Sequence, residues 1–298
     1  MNRSTMTRHT AAAALMPGLA LALMLALMLA LMLAMLPAPA AADGDGDGYE
    51  SPLSYRGYDL VWQDEFDGDA VDPASWNVQL GDGCPELCGW GNQELQYYQA
   101  ENVSVADGVL TIEARVESAG GKPYTSGRVN TEGKRFFKYG RVDIRAKMPR
   151  GRGPWPALWM LGENHAEVGW PRCGEIDIVE KTGRNERKAL GTAHWYHDTP
   201  EPGNNASYGG HTSITSGDLA DEFHVYSVVW DKRKIRWYLD GARKPYHEID
   251  IKPKELDEFR EEFFVLLNLA VGGSLGGRPD DAVFPQRLVV DYIRVFQR

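Results

Sequence analysis

Three carboxylates stand in one short apolar run, Glu175-Ile-Asp-Ile-Val-Glu180, directly after Cys173-Gly174. The Ile and Val between them favour a strand over an exposed acidic loop. Like charges stacked on one strand face repel unless a site uses them. Cleavage of a sugar acetal is one such use. It needs one carboxyl group to protonate the leaving oxygen and a second to attack carbon or activate water. On a regular strand Glu175 and Asp177 share a face, while Glu180, five residues along, points away. One extra residue, a β-bulge, returns Glu180 to that face. A helix does not rescue the pattern, because offsets of two and five fall on different sides. After the bulge the outer pair is roughly 13 Å apart along a flat strand, whereas a retaining pair needs roughly 5–5.5 Å. The strand is therefore expected to be concave, with the long Glu side chains converging over Asp177.

The elements around this motif read as strands and turns. Val109–Arg115, Tyr139–Lys147, Val225–Trp230 and Ile235–Leu239 alternate, and Phe263–Val271 and Leu288–Phe296 read as more buried strands. Asp240-Gly241 is a hairpin signal, and Pro253–Glu262 suits a short surface helix. The sum is an all-β chain, a sandwich of two antiparallel sheets over residues 51–298 with a groove on a concave face.

The N-terminus reads differently. Arg3 and Arg8 precede an apolar run from Ala11 to Leu36, and Ala38, Ala40 and Ala42 supply small residues for cleavage. Residues 1–42 are expected to be a secretory signal, long enough to act as a membrane anchor if uncleaved. Residues 43–50, Asp-Gly repeats resembling the start of a calcium loop without its closing Glu, read as a flexible acidic linker. The 298-residue chain has a formal net charge of -10. With no basic run, that charge argues against nucleic acid or anionic lipid and suits a neutral polymer. Cys84 and Cys88 lie in a Gly-rich loop and read as a disulfide staple in an exported protein. Cys173 is left as a buried free thiol, and neither His194 nor His197 has a zinc set around it.

Other candidates flank the acids. Trp155 and Trp159, four apart, share a strand face and offer flat platforms for sugar rings, although core packing is the commoner fate of such residues. Asn92, in the loop Trp90–Tyr98, can hydrogen bond a hydroxyl, or only its own backbone. His194 approaches the acids if its strand pairs with theirs, and would then tune them.

Taken together, Leu60–Phe66, Trp90–Tyr98, Tyr139-Gly-Arg141, Trp155–Trp159, Trp170-Pro171, Gly174–Glu180, His224-Val-Tyr226, Asn268–Gly273 and Asp291–Val295 resemble glycoside hydrolase family 16, laminarinase branch. The resemblance spans nearly all of residues 58–296. It implies a β-jelly roll with an open cleft and retaining endo-hydrolysis of β-1,3-glucan, without a catalytic cofactor or partner protein, in a secreted monomer. By that resemblance Glu175 is the nucleophile, Glu180 the acid/base, and Asp177 the residue that hydrogen bonds the nucleophile. Substrate contacts are implied for Asn92, Arg128, Trp155, Trp159 and His194. A structural calcium is implied at Glu65, the Gly108 carbonyl and Asp291. The extra residue in Ile178-Val179 matches the laminarinase form of the motif; the shorter form goes with lichenases. Asp143 departs from the pattern, standing where relatives often carry Glu. The alternatives are a mixed-linkage glucan or galactan hydrolase of the same family, or a glucan-binding protein without catalysis.

Overall fold

Alternation in the sequence becomes two stacked sheets. The computed structural model of the chain describes residues 47–183, 185–198 and 204–298; the expected secretory segment 1–42 lies outside the described residues. In chain order the strands are β1 (Asp59–Asp64), β2 (Asn77–Val78), β3 (Gln96–Tyr98), β4 (Val103–Ala106), β5 (Val109–Ala114), β6 (Tyr124–Ser126), β7 (Arg128–Asn130), β8 (Phe136–Phe137), β9 (Gly140–Lys147), β10 (Pro154–Gly162), β11 (Glu175–Glu180), β12 (Lys188–Tyr196), β13 (Asn205–Ser213), β14 (His224–Trp230), β15 (Lys234–Leu239), β16 (His247–Asp250), β17 (Phe263–Val271) and β18 (Gln286–Gln297). One antiparallel sheet runs β16-β15-β14-β9-β18-β5-β4, with β1 also on β18. The other runs β13-β12-β11-β10-β17-β7-β2, with β8 also on β17. A small parallel pair, β3-β6, stands apart. The architecture is the expected jelly-roll sandwich. Among the described residues no helix is long and apolar enough to cross a membrane.

The core lies between the two large sheets. Val142, Ile144 and Ala146 of β9 and Ile293 and Val295 of β18 supply one side. Leu158 and Met160 of β10, Ile176 and Ile178 of β11, and Leu267 and Leu269 of β17 supply the other. Each such side chain contributes about 1.5–3 kcal/mol on full burial. Slipping β11 by one residue would expose Ile176 and Ile178 and drive Glu175 inward, so its register is fixed by several side chains at once.

Two expectations change. The segment Pro253–Glu262 forms a 3-10 turn, Lys254–Arg260, interrupted at Leu256 rather than a regular α-helix. The expected flexible linker 43–50 is docked from Asp47 onward. Arg145 donates to the carbonyls of Asp47 (2.7 Å) and Tyr49 (2.9 Å), and Tyr292 Oη accepts the Ser51 N–H at 2.7 Å. Further along, Tyr55 Oη donates to Asp143 Oδ2 at 2.6 Å. Asp143 is fully buried and also meets Arg141 at 2.7 Å. The shorter acid at position 143 thus sits beneath a tyrosine from the N-terminal segment, which crosses the sheet opposite the acidic motif.

Candidate active site

The bulge inferred from residue count is present. On β11, Asp177 pairs with Thr192 and Glu180 with Leu190, so three steps on β11 match two on β12. The same irregularity appears against β10, where Asp177 pairs with Trp159 and Glu180 with Ala157. Glu175, Asp177 and Glu180 therefore occupy successive positions on the outer face of their sheet, away from the core. The bulge has its own anchor. The buried Trp237 of the opposite sheet donates its indole N–H to the Asp177 carbonyl at 2.7 Å. Room for that indole comes from Gly191 on β12, where a Cβ would collide with Trp237 and the Tyr246 hydroxyl.

Each acid is held differently. Glu175 Oε2 accepts from the indole N–H of Trp170 at 2.8 Å. Glu180 Oε1 accepts from the indole N–H of Trp155 at 2.9 Å. Asp177 is buried, and its Oδ2 lies 3.3 Å from His194 Nε2. The other ring nitrogen, Nδ1, lies 3.3 Å from Asn205 Oδ1. Glu175 pairs with His194 across β11 and β12, so the histidine reaches the acids as the strand-pairing expectation required.

Protonation follows from these surroundings. Burial pushes the Glu180 carboxyl up to about 7; Trp155 holds it back, while the Glu175 charge pushes it further. Burial first, then the charges of Glu175 and Glu180, raise Asp177 well above the usual carboxylate range. His194 is opposed by burial but pulled up to about 9 by Asp177, Glu175 and Glu180. Near neutral pH this face holds one acid poised to give up a proton and a cationic imidazole beside the central carboxyl group.

Aromatic and polar side chains extend the face on the β10 side. Trp155 and Trp159 both lie on it, paired with Ala270 and Leu266 of β17. The Trp159 N–H donates to Asn268 Oδ1 at 2.7 Å, and Asn268 Nδ2 donates to Tyr98 Oη at 3.2 Å. Tyr98 and Gln96 both donate to the buried Glu94, and so does Asn92, at 3.2 Å. Gly273 brings the Asn92 loop close to Trp155. Its φ is +67°, and a Cβ there would lie 2.9 Å from the Asn92 carbonyl and 3.1 Å from the Trp155 ring. Arg128 stacks between Trp90 and Trp159, 4.4 and 5.1 Å from their ring centres. Trp155 and Trp159 are thus not plain core, since their N–H groups hold Glu180 and Asn268.

The sequence reading missed Trp170 as the partner of Glu175, Asn205 behind His194, and the carboxylate Glu94 beneath the Asn92 loop. Trp170-Pro171 precedes the acidic motif by a few residues and was the available signal. Glu94 lies inside the loop Trp90–Tyr98 with its partners two and four residues away, so that loop was its signal; Asn205 carried none, because it meets His194 only through the pairing of β12 and β13.

The remaining expectations divide. Cys84 and Cys88 form a disulfide, and Cys173 is a buried free thiol held up to about 12 by burial. Glu65 and Asp291 do not fit the expected calcium. Both Glu65 oxygens accept from Arg294 (2.7 and 2.8 Å), and Asp291 Oδ2 accepts from Arg145 at 2.6 Å. Each carboxylate already has an arginine as its countercharge, and calcium requires six or more oxygens turned to one point. Gly108, with φ +74°, serves the tight turn between β4 and β5. Among the described residues the one cluster of three His, Cys or carboxylate side chains that could hold a metal is Glu175, Asp177 and His194, with donor atoms within 4.8 Å of one another. That set is the acidic site itself.

Comparison with known proteins agrees with the geometry. The model for glycosyl hydrolases family 16 matches residues 90–265. A glucan endo-1,3-beta-glucosidase A1 of Niallia circulans is 39% identical over 84% of this chain, which spans only 39% of that protein. A beta-glucanase of Rhodothermus marinus is 41% identical over 80% of this chain and 85% of its own length. The crystal structure of the laminarinase catalytic domain of Thermotoga maritima superposes with a TM-score of 0.73 at 45% identity, covering 81% of this chain and 98% of that one.

Proposed function

Because the chain belongs to glycosyl hydrolase family 16, we propose that it cleaves β-1,3-glucan within the polymer, with retention of anomeric configuration. The observation that carries this reading is the bulged strand, which sets Glu175 and Glu180 on one face with the Glu180 carboxyl raised to about 7. Glu180 gives its proton to the glycosidic oxygen while Glu175 Oε attacks the anomeric carbon, and the carbon–oxygen bond to the leaving sugar breaks. A water then enters from the side the leaving sugar vacated. Glu180 takes its proton, the hydroxide oxygen bonds to the anomeric carbon, and the ester to Glu175 breaks. Trp170 fixes the attacking carboxylate through its 2.8 Å hydrogen bond. The Asp177–His194 pair supplies a buried partner between the two Glu, and the His194 charge draws the Glu180 carboxyl down, against burial. Asn92, Arg128, Trp155 and Trp159 edge the face along which the glucan lies. The chemistry is carried by side chains alone. The laminarinase and endo-1,3-β-glucanase relatives support the linkage.

We also read the chain as exported by residues 1–42. The Cys84–Cys88 disulfide fits an oxidising compartment. Sequencing the N-terminus of the mature protein tests it, with Ala42 or Asp43 near the expected start.

The test of the activity compares reducing-end release from laminarin, lichenan and agarose. Laminarin is expected to be cleaved fastest, with loss of about 10²–10⁴-fold in Glu180→Ala and near-abolition in Glu175→Ala, which removes the nucleophile. Normal turnover by either variant would sink the mechanism, and faster cleavage of lichenan or agarose would sink the linkage.

A further inference from the structure

Beyond Glu175 the outer face of the site-bearing sheet opens into a cavity of about 570 Å³, within the range of small-molecule sites. Asn164, Arg172, Tyr196, Lys254 and Glu258 line it. A smaller cavity of about 360 Å³ shares Val168, Arg172 and Tyr196 with it and reaches Trp170, the residue that donates to Glu175.

The position of this space relative to the acids is defined by strand register. On β12, His194 stands opposite Glu175 and Thr192 opposite Asp177. Tyr196 is the next residue on that face, roughly 7 Å past Glu175 along the strand direction. The scissile bond must lie between Glu175 and Glu180, so the glucan main chain crosses β11 rather than following it. A cavity beyond the Glu175 end of the strand therefore lies beside the chain's path. The main chain passes its mouth, and only a substituent can enter.

The chemistry of the walls suits a neutral polyol. Glu258 Oε1 accepts the Tyr196 N–H at 3.3 Å, while its Oε2 has no hydrogen-bond partner among the described residues. Asn164 Oδ1 likewise has none. Both residues line the cavity. Arg172 lies over the Tyr196 ring, 3.4 Å from its centre, and Lys254 lines the same cavity. Carboxylates lining the cavity outnumber Lys and Arg by four to two, which disfavours a sulfated or other anionic substituent.

We propose that this side cavity binds a glucosyl branch carried on the primary hydroxyl of the main chain, making the enzyme selective for branched β-1,3-glucan. On a 3-linked glucose unit the primary hydroxyl stands furthest from the backbone and is the attachment point that reaches sideways. This inference rests on the β-1,3-glucanase reading above.

The test uses the whole protein and the double variant Arg172→Ala/Glu258→Gln, both residues lying outside the catalytic set. With a linear β-1,3-glucan and a β-1,6-branched one of matched length, kcat/KM on the linear polymer is expected to stay within about twofold. On the branched polymer it is expected to fall about tenfold, the loss of one to two hydrogen bonds. An equal fall on both polymers, or no fall on the branched one, overturns the proposal. A calorimetric titration with gentiobiose, the β-1,6-linked glucose disaccharide, decides the cavity independently of turnover. Binding by the parent protein and its loss in the double variant support the site; no binding, or binding retained by the variant, refutes it. Failure of the parent protein to cleave either polymer would strike the β-1,3-glucanase reading instead.

Discussion

Replacing Trp155 with Phe should shift the alkaline limb of the pH–rate profile upward. The indole N–H donates to Glu180 Oε1 at 2.9 Å, and this bond lowers a carboxyl that burial has raised to about 7. An N–H bonded to an ionised carboxylate contributes about 1.5–3 kcal/mol, against about 0.5–1.5 kcal/mol to a neutral partner. The difference, about 1–1.5 kcal/mol in favour of the charged form, corresponds to about one pH unit. The sign follows from the role. The general acid must be protonated, so kcat/KM falls as pH rises through the Glu180 pKa, and removing a donor that favours the anion moves the fall to higher pH. With a midpoint of about 7, the ratio of activity at pH 8 to that at pH 6 is about 0.1; raised by one unit it becomes about 0.5. The ratio separates this effect from the overall loss that a smaller ring at a packed position will cause. The assay is initial-rate reducing-sugar release from laminarin at low substrate between pH 5 and 9. A limb that stays within ~0.3 pH units of the parent's, or moves to lower pH, would refute the assignment of Glu180 as the acid tuned by Trp155.

Two further outcomes follow from the same geometry. Trp170→Phe removes the donor to Glu175 at an exposed position; kcat on laminarin should drop about tenfold, the effect of roughly one charge-assisted bond, with the melting temperature within about 2 °C of the parent's. Gly191→Ala places a methyl against Trp237 and the Tyr246 hydroxyl; it should cost about 1–3 kcal/mol in a urea titration and lower kcat by displacing the indole that holds the Asp177 carbonyl. A fully stable, fully active Gly191→Ala protein would mean that the bulge does not depend on Trp237.

Much of the architecture was legible because strand alternation is a local property. Phe263–Val271 reads as a strand and is one over those same residues, since every side chain in it is apolar or buried against a neighbour. The loop staple Cys84–Cys88 needs only two cysteines four residues apart. Pro253–Glu262 was less legible. Its composition suits a helix, yet Leu256 and Phe259 are buried under β12 and β14, and the segment folds as a kinked 3-10 turn to reach them. What Glu65 and Asp291 pair with was illegible for a related reason. Glu65 and Asp291 are suitable ligand types, but Arg294 and Arg145 neutralise them, and that pairing exists only once β1, β9 and β18 lie side by side.

The acidic strand divides the same way. Residue count alone determined that Glu175, Asp177 and Glu180 share a face only through a bulge, because a strand has a period of two and five is odd. It also determined which residues face the core, since Ile176 and Ile178 must leave water. The tertiary structure decided what those acids can do. Burial raised Glu180, Trp155 and Trp170 supplied its donor and that of Glu175, and β12 brought His194 to Asp177. Protonation and orientation depend on the dielectric and the partners within a few ångströms. Those partners come from β10, β12 and the loop before β11, which only the pairing of strands far apart in sequence brings together.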